Sequence, residues 1–380
     1  MKQYSLLFAA ALLAVGCAKP SHITVNGKVA GLNDATYFLK DAADSTIAAE
    51  NISNGTFKVD AQLDNPGYGT LSINKNGSKD ENNFEVYLES GEYTIEANAD
   101  KLSQYPKITS PSAIQKELSS YYEIYEQTNA GTHEQRLKAE AKLNDKRSMA
   151  LSKTEYIALI NKVNAAQEAE DKTKIIAFKT FVEKNPQSIA APHLMGKLDI
   201  ESDPVTYNNI YQKLGAAARN TDEGKEIGAK LTRILKLVPG AEAPAIAGNT
   251  PDGKPFNKAT LDKSKKGYII DFWRAANQVS RLCHQDMINT LQKDKSGRQF
   301  GIISVSLDSK RDWWTKAVTD DHMNWPQFAD LKGDDSPNAQ NWMITKIPTY
   351  YLVDENWHII ERNVDFNRLL FEMDSYVKKH

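Results

Sequence analysis

GYIIDFWRAANQVSRLCHQD, residues 267–286, joins an unbroken apolar run to a segment with helical character. Tyr268-Ile269-Ile270-Asp271-Phe272-Trp273 is apolar at consecutive rather than alternating positions, the pattern of a central strand covered on both faces. Asn277 to Gln292 follows as a helix. Beyond it, Phe300 to Leu307 is a second buried strand and Asp312 to Val318 a second helix. Thr349 to Val353 with His358 to Glu361 makes a terminal hairpin, and Asn367 to Val377 a closing helix. From Pro239 to His380 the chain is therefore expected to be α/β.

Two other rhythms precede it. Between Ser21 and about Ala99, short alternating runs predict strands at Ile23-Val25, Lys28-Val29, Thr36–Leu39, Phe57-Val59, Thr70–Ile73, Phe84–Leu88 and Tyr93–Ile95. Asn26-Gly27, Asn54-Gly55, Asn76-Gly77 and Ser90-Gly91 supply candidate turns, since Gly and Asn tolerate positive φ. An antiparallel sandwich or partial barrel buries such strands. From Ser110 to about Val238 the pattern is helical. One helix opens at Ser110-Pro111 with Ile114, Leu118, Tyr121 and Tyr125 on its stripe, and a charged, solvated helix spans Lys138 to Met149. A long stretch from Ser152 to Glu183 has a possible break at Asn164-Ala165, Asn185-Pro186 stops it, and helices resume over Ser188–Leu198 and Thr221–Leu237. His193, among apolar neighbours, is read as a satisfied, half-buried histidine.

The expected organisation is multidomain: a leader at 1–16, an all-β domain at 17–100, a helical region at 101–238 and an α/β domain at 239–380. In the leader, Lys2 precedes an apolar run from Leu6 to Val15, too short to span a bilayer as a finished helix, which needs about 20 residues. The run reads as an export signal, and Ala14-Val15-Gly16-Cys17 resembles a bacterial lipobox, with Leu13 one position earlier than the usual leucine; the alternative is an ordinary secretory signal cleaved nearby. That resemblance implies acylation of Cys17, a membrane anchor, and a body in the cell envelope facing the periplasm or the cell surface. The 380 residues carry 47 basic and 49 acidic side chains, a net charge of -2 that gives no general attraction to nucleic acid. Two cysteines, one of them in the leader, provide no disulfide framework.

The C-terminal third resembles the thioredoxin fold of the TlpA/ResA or AhpC/TSA type. Gly240–Pro244, Pro251–Lys254, Lys266-Gly267 before YIIDFW, Phe300–Asp308, Trp325–Gln327, Gly333–Asp335 and Lys346-Ile347-Pro348-Thr349 stand in that family's order. The β segment, through NGTFKVDAQL and NFEVYLESGEYTI, resembles the DUF4369-like domain of unknown function that precedes such folds in envelope proteins of Bacteroidota. The resemblance implies a cis proline at Pro348 beside a Cys-x-x-Cys pair at the helix start, where a lowered pKa activates the first thiol and the second resolves the mixed disulfide.

Here Asn277 stands at the nucleophile position and Ser280 at the resolving one. An amide cannot attack a disulfide and a serine cannot close one. Cys283 lies one turn further on. A shifted register, Ser280–Cys283, gives it the resolving place but no partner. It is either a buried small hydrophobe, a lone reactive thiol activated by Arg281 or His284, a metal ligand, or an intermolecular partner. No peroxidatic motif, metal-ligand spacing, P-loop, dinucleotide fingerprint or serine elbow is present, so no cofactor is expected. The leading expectation is a non-redox module binding an envelope protein or peptide in a groove made by Trp273, Asn277, Gln278, Ile347, Pro348 and Thr349. The alternative is a thiol-disulfide oxidoreductase or isomerase acting through Cys283 alone.

Overall fold

A computed structural model of the chain describes residues 21–32, 34–78, 81–293 and 299–380. The leader and Cys17 lie outside the described residues. The rest forms two compact units: one runs to Leu198 and includes Lys213–Thr221, the other comprises Asp199–Gln212 and Asp222–His380. The helical region expected at 101–238 is thus shared between the two. Among the described residues no helix is long and apolar enough to cross a membrane.

The first unit opens with β1 (Ser21–Ala30), β2 (Ala35–Lys40), β3 (Thr46–Ile52), β4 (Thr56–Leu63), β5 (Gly67–Lys75), β6 (Asn83–Leu88), β7 (Gly91–Asn98) and β8 (Lys107–Thr109). They form two four-stranded sheets, β4-β1-β7-β8 and β3-β2-β5-β6. Ile23 and Val25 from one sheet and Tyr37, Leu71 and Ile73 from the other share a single apolar core. The expected all-antiparallel pairing fails at one place, because β1 and β7 run parallel. The chain leaves for the other sheet to make β5 and β6 before returning, and such a crossover permits parallel neighbours.

Asn54-Gly55 and Asn76-Gly77 do make turns, with φ of 51° and 70° at the first pair and 77° at Gly77. Asn26-Gly27 does not turn: it lies inside β1, opposite Lys58 and Phe57. A Cβ on Gly27 would stand 2.1 Å from the Phe57 ring. The glycine is there because that ring, stacked on Tyr37 at 4.3 Å, occupies the space.

Helix α1 (Ala113–Asn144) runs through the point where a separate charged helix was expected, and α2 (Lys153–Lys184) is unbroken at Asn164. Ser152 and Glu155 close a capping box at the start of α2. The first turns of α1 cover the sandwich. Gln115, fully buried, accepts a hydrogen bond from the Tyr87 backbone at 2.7 Å and donates to the Tyr105 hydroxyl at 3.1 Å. In α3 (Ala191–Gly196), His193 bonds Glu85 at 2.8 Å and stacks on Tyr68, the satisfied state its neighbours suggested.

The second unit contains α4 (Pro204–Tyr211), and α5 (Ala216–Arg219) returns to the first before α6 (Asp222–Ile234). Its remaining elements are β9 (Gly267–Trp273), α7 (Gln278–Lys293), β10 (Phe300–Ser306), α8 (Arg311–Asp320), β11 (Gln327–Ala329), α9 (Pro337–Asn341), β12 (Thr349–Asp354), β13 (Ile359–Arg362) and α10 (Phe366–Lys379). The sheet order is β11-β10-β9-β12-β13. Strands β9, β10 and β11 are parallel, while β12 runs against β9 and β13 against β12. All seven residues of β9 are buried. Phe272 and Ile270 pack with Ile303, Val305 and Tyr351 on one face, and Ile269 with Met287, Ile302 and Leu352 on the other.

Gly27→Val is expected to destabilise the first unit by about 1–3 kcal/mol, the usual cost of overpacking. Gly77→Ala, with open space around it, is expected to cost about 1 kcal/mol through its positive φ alone. Denaturant unfolding of the two variants checks the order; equal stability of Gly27→Val and wild type would contradict the packing described.

Candidate functional site

The C-terminal ends of the parallel strands carry the residues singled out in the sequence. After β9 the chain turns through Arg274–Asn277, closed by the Asn277 amide on the Arg274 carbonyl at 3.0 Å. The Ala275 amide donates to Asp308 at 2.9 Å and Arg274 pairs with Asp334 at 2.5 Å, fixing the loop against the segments after β10 and before α9. Asn277 is the N-cap of α7. Its Oδ1 accepts from the Ser280 backbone N–H at 2.8 Å and from the Ser280 hydroxyl at 3.1 Å. Those bonds satisfy a helix-end donor that would otherwise be orphaned. Its Nδ2 donates across to the Ile347 carbonyl at 3.4 Å. The Ile347–Pro348 bond is cis.

The structure therefore brings Asn277, Ser280, Ile347 and Pro348 together, with Ser280 fully buried. Gln278 is exposed on the first turn. Two expected groove residues are corrected. Trp273 is completely buried, because strand alternation places it on the same face as Asp271, where it packs with Trp314 and Met323. Thr349 is buried inside β12, its hydroxyl donating to the Lys346 carbonyl at 2.5 Å. The accessible surface beside the cis proline is instead a cavity of 400 Å³ in which Leu307, Ile344 and Ile347 meet Arg274, Lys346 and Asp334.

Behind this surface lies a buried polar group that sequence reasoning missed. His284 is fully buried, with Nε2 2.9 Å from Asp271 Oδ2 and Nδ1 3.4 Å from Asp321 Oδ2. Ser304 donates to the same Asp271 oxygen at 2.6 Å and receives the Trp325 indole N–H at 2.9 Å. Arg281 grips Asp321 through Nη2 at 2.6 Å and through Nε. Burial lowers the affinity of His284 for its proton, but the Asp271 and Asp321 carboxylates outweigh it and hold the pKa above the ordinary histidine range. The available signal was Asp271 itself: a carboxylate inside a fully apolar strand requires a buried partner.

Cys283 packs in the apolar cluster of Ile269, Met287, Tyr350 and Leu352. Burial pushes its thiol above the usual cysteine range, against a smaller opposing pull from the Tyr350 hydroxyl. Arg281 and His284, the two residues able to activate it, are both engaged by Asp321. Among the described residues no group of three or more His, Cys, Asp or Glu is placed to hold a metal.

A mixed sheet in which β9 and β10 flank crossover helix α7, β12 runs antiparallel beside β9, and a cis proline opens β12 opposite the start of α7 is a thioredoxin-like fold. Residues 23–125 match the family described as Domain of unknown function (DUF4369), a span that takes in the sandwich and the first turns of α1 that cover it. No curated protein matches the chain. Among solved structures, the chain is similar to the thioredoxin domain of a thiol-disulfide oxidoreductase from Bacteroides vulgatus, at 28% identity over 37% of this chain and 99% of that one, with a TM-score of 0.32. It is similar also to a thiol-disulfide oxidoreductase from Bacteroides fragilis, at 20% identity over 35% and 98% with a TM-score of 0.32. A thioredoxin-like protein from Bacteroides caccae matches at 13% identity over 58% and 81%, with a TM-score of 0.43.

Asn277→Ala is expected to cost about 1 kcal/mol through the lost cap. With Cys17 replaced by serine, Cys283 is expected to resist thiol-specific reagents in the folded protein and to react on unfolding. Rapid labelling of the native protein at neutral pH would contradict the burial of the thiol.

Proposed function

We propose that this chain is a lipid-anchored envelope protein whose thioredoxin-like unit holds an extended peptide or partner domain without redox chemistry. The observation that carries this reading is the double bonding of Asn277. Where a dithiol enzyme needs a nucleophile, a carboxamide caps α7 and reaches the carbonyl beside the cis proline. The opposite reading, turnover through Cys283, meets a thiol that is buried and pushed toward its protonated form.

The neighbouring cavity suits an extended ligand. Apolar Leu307, Ile344 and Ile347 offer a floor, and Arg274, Lys346 and Asp334 offer charges at its rim. The Ile347 carbonyl retains a second lone pair beyond the one Asn277 uses, so a peptide N–H can still pair there. Acylation of Cys17 would hold this surface at a membrane.

Wild type and Cys283→Ser are both expected to reduce or isomerise protein disulfides at the uncatalysed rate. Turnover by wild type that Cys283→Ser loses would overturn the non-redox reading. In quantitative pull-downs from envelope extracts, wild type is expected to retain a partner that Pro348→Ala holds at least about tenfold less well, the loss of roughly 1.4 kcal/mol of binding. Equal retention would remove the proposed groove. Separately, Cys17→Ala is expected to lose the acyl mass and move to the soluble fraction; unchanged membrane retention would contradict the anchor.

A further inference from the structure

The inner face of α7 links the candidate site to the buried charges. Asn277, Ser280, Arg281 and His284 follow one another at helical spacing, so the face that begins at the cap ends, two turns later, between Asp271 and Asp321. A neutral imidazole has one donor and one lone pair, whereas His284 presents each ring nitrogen to a carboxylate oxygen. Only the doubly protonated ring donates to both. With Arg281 on Asp321, that state balances two carboxylates against two cations.

Every element around the ring enters this balance. Strand β9 contributes Asp271, and β10 contributes Ser304, which donates to the same oxygen. The end of α8 and the residue after it contribute Asp320 and Asp321, the former 4.0 Å from Arg281. From the loop before β11 comes the Trp325 ring, and Trp273 packs edge-on to the imidazole at 4.8 Å. Strand β12 presents Tyr350, whose hydroxyl feels the Asp271 charge, and α7 itself adds Cys283 and Asp286 to the surroundings.

We propose that the Asp271–His284–Asp321 clasp is a proton-operated latch on α7: when His284 gives up its proton, the helix start bearing Asn277 loosens from the sheet. Loss of the proton leaves a neutral ring facing two carboxylates, so one hydrogen bond becomes a lone-pair contact and a buried negative charge loses its partner. The strain falls on α7, because α7 carries both His284 and Arg281. The sign follows from linkage. His284 is raised in the folded state, so its contribution is complete below the unfolded histidine pKa and vanishes as pH rises through the folded value. The inference depends on no particular ligand at the groove and stands or falls separately from the peptide-binding reading.

The test is carried out on the full chain with isotope-labelled histidine. Ring NMR follows His284, assigned by its absence in His284→Asn, while hydrogen exchange follows the segment 277–284 at matched pH after correction for intrinsic rates. The expected result is that His284 keeps its proton above the ordinary histidine range. At its midpoint, protection of 277–284 falls at least about tenfold, the worth of one hydrogen bond to a charged group. In Asp321→Asn the ring midpoint and the protection step move together to lower pH. Protection that stays constant through the His284 titration would overturn the latch, as would two midpoints that separate. The wild-type coincidence decides the matter even if Asp321→Asn does not fold.

Discussion

Complete burial of β9 is the constraint around which the second unit is organised. A strand covered on both faces can afford one carboxylate only if that carboxylate is bonded, and Asp271 is bonded by His284 and Ser304. His284 sits on α7, so the bond that neutralises the strand also fixes the helix. The helix in turn sets Asn277 against the Ile347 carbonyl. Strand, helix and cis-proline loop therefore form one connected arrangement rather than three independent features.

Much of this was legible from residues alone. The continuous apolar run at 268–273, the second run at 300–307 and the terminal hairpin gave central strands, and β9, β10, β12 and β13 fall within a residue or two of them. What was missed was missed for physical reasons. Strand β3 buries only its last residue, so its alternation carries almost no signal. Asn26-Gly27 looked like a turn because its composition is that of a turn, while the need for glycine there comes from Phe57, thirty residues downstream. The parallel pairing of β1 and β7 depends on where the chain goes between them, which no local pattern records.

At the site, sequence spacing found the positions but not their orientation. Asn277 bonds Ser280 on one side and, on the other, the Ile347 carbonyl that precedes the cis bond to Pro348. Trp273 and Thr349 adjoin the groove residues in sequence, yet both are buried in packed interior. The His284 clasp was invisible because its members come from four separated segments, Asp271 from β9, Arg281 and His284 from α7, Ser304 from β10 and Asp321 from just after α8, and meet only after folding. Its effect on Cys283 is by subtraction: the charges able to activate the thiol are committed to Asp321.

The proposed non-redox reading turns on Asn277 and Ser280, which stand where a dithiol enzyme carries its two sulfurs. The most direct measurement is disulfide-reductase turnover of the Asn277→Cys/Ser280→Cys double variant beside wild type. The account predicts turnover in the double variant and none above the uncatalysed rate in wild type. Equal turnover in wild type would contradict it.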